Sequence, residues 1–123
     1  MERHEFTYFI SERNYISVVS LMGKLDKLAL PAFTNILDDI SIRCPRFVIF
    51  NCHDLSGLDP NLSSAFSELL ACVRGLSMEV CLCFIEPKLK DQLVAEKVVQ
   101  PMEIHDNLFS AVGSCLQKTK KAS

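Results

Sequence analysis

The chain has 123 residues, 49% hydrophobic and 23% charged, the balance of one soluble globular domain able to bury a core without disulfide staples. A formal net charge of -2 with no basic stripe argues against nucleic-acid binding. No apolar run reaches bilayer length, and the opening MERHEFTYF lacks the apolar core and cleavage site of a signal peptide, so a cytoplasmic protein without membrane insertion is expected.

Phe6 to Ile10 and Tyr15 to Leu21 read as strands, and Glu12-Arg13-Asn14 between them predicts a hairpin turn. Gly23 to Asp26 ends the second strand. Pro31 suits the first position of a helix, and Phe33, Ile36, Leu37 and Ile40 follow at helical spacing. That helix should stop before Pro45. Phe47 to Phe50 is a continuous apolar run, as a strand buried on both faces requires. Asp59 and Pro60 suit the N-cap and first turn of a second helix, whose stripe is Leu62, Phe66, Leu69, Val73 and Leu76. Val80 to Ile85 is a further buried strand, and Pro87 opens a short helix on Leu89 and Leu93. Val98 to Ile104 reads as a weak strand, placed at an edge by Pro101. Asp106 or Asn107 caps a last helix on Phe109, Val112 and Leu116, and a basic tail, residues 118–123, follows a core of about 6–117. The order β-β-α-β-α-β-α-β-α predicts an α/β fold, a single domain with a mixed β-sheet and right-handed crossovers.

Little in the chain asks for catalysis. It has no glycine-rich phosphate loop and no nucleophile elbow. Cys52 and His53 are adjacent, so on a strand they face opposite ways and cannot serve as nucleophile and base. Asp38-Asp39 reads as the solvated side of a helix. The six cysteines form no C-x-x-C pair, and reduced core thiols are expected for most of them. Cys81 and Cys83 should share one strand face. The three histidines lie far apart, without ligand spacing. The expectation is a protein that is not an enzyme and carries no cofactor or metal.

Across most of its length the sequence resembles a STAS domain, the module shared by sulphate transporters and anti-sigma factor antagonists. Leu21-Met22-Gly23-Lys24-Leu25-Asp26 is similar to the family's L-x-G-x-L-D stretch. VIFNCHDLSGLD, ending at Asp59, is similar to its buried strand followed by an Asp-Leu-Ser turn and a second aspartate. Glu79 to Phe84 and then Ile85-Glu86-Pro87 correspond to the next strand and its closing proline. The resemblance implies a protein-binding regulatory module. Antagonists of this family carry Asp-Ser-Ser/Thr-Gly at the start of the second helix, with the first serine phosphorylated by a partner kinase. Here Asp59 matches the aspartate, Pro60 stands in place of the acceptor serine, Asn61 in place of the second hydroxyl residue, and Leu62 in place of the glycine. Proline has no hydroxyl, so the usual phosphorylation is expected to be absent.

The expected partner-binding residues are Lys24, Asp26, Asp59, Pro60, Asn61, Ser63, Ser64 and Ser67, a small-residue face at the start of the second helix. Ser63 or Ser64, one turn on, would be the position of a displaced phosphoacceptor. The resemblance implies as partner an anti-sigma factor or kinase-like ATPase. The alternative is a scaffold subunit in a signalling or transporter assembly, where strand edges would make a homodimer.

Overall fold

The computed structural model describes residues 6–58 and 63–122, with side chains described for all of these except 56–58, 63 and 119–122. Five strands lie in one sheet in chain order: β1 (Thr7–Arg13), β2 (Ile16–Leu25), β3 (Phe47–Leu58), β4 (Glu79–Cys83) and β5 (Ile104–His105). β1 pairs antiparallel with β2, and the remaining neighbours are parallel. Four helices connect and follow them: α1 (Leu30–Arg43), α2 (Ser63–Gly75), α3 (Pro87–Ala95) and α4 (Leu108–Ala122). The mixed α/β sheet and the element order are those the sequence predicts.

The β1–β2 turn is tighter than expected. β1 runs on to Arg13, which pairs with Ile16, so only Asn14 and Tyr15 remain to turn the chain. Both have positive φ, 50° and 68°. A two-residue hairpin needs this because its backbone twist then matches that of the strands. Asparagine tolerates the conformation, whereas tyrosine does so at a cost. Tyr15 therefore belongs to the turn and not to β2. Its carbonyl accepts from the N–H groups of Arg46 and Phe47 at 2.8 and 3.1 Å, which fixes the start of β3.

The sheet separates two apolar layers of unequal size. On one face Val19, Leu21, Leu25, Val48, Phe50, Val80 and Leu82 pack against α1, α2 and α3 through Phe33, Ile36, Ile40, Phe66, Leu69, Leu70, Val73, Leu89 and Leu93. On the other, Ile16, Phe47, Ile49, Cys81 and Cys83 meet α4 alone. β3 and β4 contribute to both layers by the alternation of side chains along a strand. This is why Phe47 to Phe50 is an unbroken apolar run.

Helix ends follow local chemistry. Cys44 takes the left-handed conformation after α1 (φ 50°), returns its N–H to Ile40 at 2.9 Å, and Pro45 prevents continuation. Asp39 is not simply solvated: it accepts the Tyr8 hydroxyl at 2.7 Å and ties α1 to β1. Asn107, of the two candidates, caps α4 by accepting the Ser110 N–H at 2.8 Å.

Two elements depart from the sequence reading. The expected strand Val98 to Ile104 shrinks to the two residues of β5. Pro101 lacks an N–H, and Gln100 and Glu103 form a capping box that winds Pro101–Glu103 into a 3-10 turn. Arg74 at the end of α2 clasps that turn, donating to the Val98 carbonyl at 2.6 Å and to both Glu103 oxygens at 3.0 and 3.1 Å. On α4 the buried positions are Ala111 and Cys115, flanked by Leu108 and Val112, while Phe109 is 90% exposed and Leu116 38% exposed. α4 also extends through Ala122, so the basic residues from Lys118 belong to its last turn, and Lys118 pairs with Glu79 at 3.3 Å.

Candidate functional site

The part of the expected docking corner that the structure describes begins where β2 and β3 end side by side. Lys24 pairs with Gly57 and Leu25 with Leu58, so the stretch from Lys24 to Asp26 lies beside the end of β3. Two register shifts in this ladder fall on β3. Two of its residues separate the partners of Ser20 and Met22, and a further one separates those of Gly23 and Lys24. Such bulges bend a strand and increase its twist. Gly23 serves the same bend from β2, with φ 87°.

Lys24 is exposed, and Leu25 below it is fully buried. Asp26 is half-buried and structural: its carboxylate accepts the Leu28 N–H at 3.0 Å and caps the 3-10 turn Lys27–Ala29. That turn leaves Leu28 78% exposed, with Leu30 beside it at 40%. Leu28 was not singled out by sequence reasoning, because a leucine near a helix start reads as core. The signal available was the Asp26-to-Leu28 spacing of an Asx-type turn.

Asp59, Pro60 and Asn61 lie outside the described residues, as does Leu62 at the head of the expected α2 stripe. α2 itself begins at Ser63. Ser64 is exposed and Ser67 half-buried with its own interaction. Ala71 is exposed on the same side, joined by Glu68 and Cys72, which the sequence reading left out. The opposite side of α2 carries buried Phe66, Leu69, Leu70 and Val73, while Leu76 past the helix end is 43% exposed. The structure thus places Lys24 and Asp26 at the end of β2 and opens Ser64 on a small-residue face of α2.

A second polar group stands where β4 ends beside the middle of β3. Asn51 is its hub: Oδ1 accepts the His53 N–H at 3.1 Å and the Cys83 thiol at 3.8 Å, and Nδ2 donates to Ser20 Oγ at 3.4 Å. The His53 ring meets Asp54 at 3.0 Å and stands edge-on to Phe84, with centroids 4.7 Å apart. Cys52 points into the core, where burial, aided by the neighbouring Cys83, pushes its thiol up to about 12. A thiol so held is not a nucleophile at neutral pH, and His53 lies on the other side of the strand. No group of three or more acidic, cysteine or histidine side chains among the described residues is placed to hold a metal ion. No helix among them is long and apolar enough to cross a membrane.

No protein-family model matches the chain, and no characterised protein matches it in sequence. Solved structures do. A serine-to-glutamate variant of RsbS from Moorella thermoacetica superposes with a TM-score of 0.76 at 16% identity, over 92% of this chain and 97% of that one. The STAS domain of a SulP transporter from Vibrio cholerae gives 0.74 at 12% identity, over 90% and 88%. The Bacillus cell fate determinant SpoIIAA, in its phosphorylated form, gives 0.69 at 12% identity, over 89% and 99%. The strand order, the helix placement and these superpositions agree: the chain has the fold of a STAS domain.

Proposed function

We propose that the chain is a regulatory protein-binding module of the anti-sigma factor antagonist type, without phosphorylation at the usual position. The reading is carried by the small exposed helix face of α2, Ser64 with Ala71, and is supported by a capped turn that leaves Leu28 in solvent. Small residues let a partner backbone approach, and a rigid exposed leucine gives it an apolar anchor. Lys24, Asp26, Ser64, Ser67 and Leu28 are assigned to this face, and the family pattern adds Asp59, Pro60, Asn61 and Ser63 to it. The likeness to RsbS and SpoIIAA supports the choice of partner class, an anti-sigma factor or kinase-like ATPase. No reaction or cofactor is assigned to the chain.

Pro60 gives the proposal its regulatory content. A phosphate at the head of α2 would add a charge of about -1.5 to -2 to the face, and proline offers no oxygen to carry it. The module is then permanently in its binding-competent form.

Recovery of the tagged protein from its native cells, followed by identification of the partner and intact-mass measurement, tests this. An anti-sigma factor or kinase-like ATPase bound to a chain of unmodified mass is expected. Ser64→Glu should weaken that complex by roughly tenfold or more, about 1.4 kcal/mol, with thermal stability nearly unchanged. Wild-type affinity in Ser64→Glu removes the docking face. A phosphoryl group mapped to Ser63 or Ser64 means that control has moved one turn along the helix. Recovery of transporter or signalling-assembly subunits instead favours the scaffold reading.

A further inference from the structure

The layer between the sheet and α4 holds three thiols that the docking face does not use. Cys81 and Cys83 stand two apart on β4, facing α4, and Cys115 descends onto them from the helix. Relative exposures are 2%, 0% and 0%. Cys81 and Cys115 lie in one buried cluster between the sheet and α4, where their thiols act on each other. Cys83 directs its thiol to Asn51 instead, which makes Cys81 and Cys115 the pair.

The pair is buried but not deep. Glu79 precedes Cys81 by two residues and so shares its strand face, and Lys118 follows Cys115 by three and so lies one turn along α4. These two side chains bridge at 3.3 Å and are 50% and 45% exposed. Cys81 and Cys115 therefore lie a single step inside a solvent-exposed ion pair. A brief opening of the last turns of α4 brings a small oxidant to them.

We propose that Cys81 and Cys115 form a peroxide-sensitive dithiol that closes into a disulfide joining β4 to α4. The two thiols are unequal. Donation of the Cys115 S–H, together with the nearby Lys118 ammonium, pulls Cys81 below the usual cysteine range despite its burial, while the same bond and burial push Cys115 up. Cys81 is thus the attacking sulfur. Its thiolate attacks one oxygen of hydrogen peroxide and the O–O bond breaks. The leaving hydroxide takes up the proton that Cys81 gave up, which yields water and a sulfenic acid on Cys81. The Cys115 sulfur then attacks the Cys81 sulfur, the S–O bond breaks, and the hydroxyl leaves with the Cys115 proton as a second water. Two electrons pass from the sulfur pair to peroxide, and two thiols plus one peroxide give one disulfide and two waters.

The test uses the full chain with the exposed cysteines removed, Cys44→Ser with Cys72→Ser, or the wild type with those two alkylated before peroxide is added. After peroxide treatment and quenching, the intact mass should fall by two hydrogen atoms. A cross-linked peptide should contain Cys81 and Cys115, and dithiothreitol should reverse both changes. Adding Cys115→Ala should leave Cys81 holding oxygen instead of a bridge. A chain that keeps its reduced mass under peroxide that oxidises its urea-unfolded form overturns the proposal, as does a bridge that uses Cys83.

Discussion

Tyr8 and Asp39 are 31 residues apart in the chain and meet at 2.7 Å. The hydroxyl is held by a carboxylate in a half-buried place, so Tyr8→Phe should lower stability by about 1 kcal/mol. Burial, and then the Asp39 charge and hydrogen bond, push the Tyr8 phenol from 10.0 to about 12. A folded-state value above the unfolded one means that the folded chain holds this proton more tightly. The Tyr8 contribution is therefore complete below pH 10 and is lost as pH rises towards about 12. Thermal midpoints of wild type and Tyr8→Phe should differ at neutral pH and converge across that window. Tyr15 gives a prediction of the opposite sign. Its φ of 68° is costly for tyrosine and natural for glycine. Tyr15→Gly converts the turn to Asn-Gly and should raise stability by about 0.5–1 kcal/mol, measured by urea denaturation. The sequence could not announce either role. An aromatic β-former beside an apolar run reads as strand, and a tyrosine's distant partner leaves no local pattern.

At the scale of elements, legibility follows the size of the residues that do the packing. The α1 stripe of Phe33, Ile36 and Ile40 and the α2 stripe of Phe66, Leu69 and Val73 are large, periodic and buried, and periodicity finds them. α4 inverts the rule. It lies on the sheet through Ala111 and Cys115, with Leu108 and Val112 beside them, and turns Phe109 outward, so a search for large apolar residues finds Val112 but misses the two small residues at the centre of the contact. β5 is short for a similarly local reason, the capping box around Pro101 and its clasp by Arg74. The docking corner expected from the family pattern falls partly outside the described residues, and of it the structure places the side chains of Lys24, Asp26, Ser64 and Ser67. Leu28 was not legible in the sequence, because its exposure depends on the turn that Asp26 caps. The α4 cap is open to direct measurement. Asn107→Ala removes the 2.8 Å bond to the Ser110 N–H and should cost about 0.5–2 kcal/mol in a thermal or urea melt.

Over the whole molecule, the sheet shields four of the six cysteines: Cys52, Cys81, Cys83 and Cys115 are buried, and Cys44 and Cys72 are exposed. Burial pushes Cys52 up to about 12 and Cys83 up to about 11. A colorimetric thiol reagent at about pH 8 should therefore react promptly with Cys44 and Cys72, more slowly with Cys81 and Cys115 as α4 opens, and with Cys52 and Cys83 only on unfolding. A prompt third equivalent would show that α4 opens more readily than its packing implies. The order of the strands in the sheet, identical to their order in the chain, carries a consequence for synthesis. A chain released amino end first can add each strand beside the one just laid down, and no strand must wait for a later one to separate it from its neighbour. The layer of α1, α2 and α3 fills as the sheet grows. The opposite layer cannot fill until the final 15-residue helix is free, so Ile16, Phe47 and Ile49 stay bare until then. The nascent chain is most exposed to aggregation just before α4 emerges, and a chaperone that recognises apolar sheet would find its opening there.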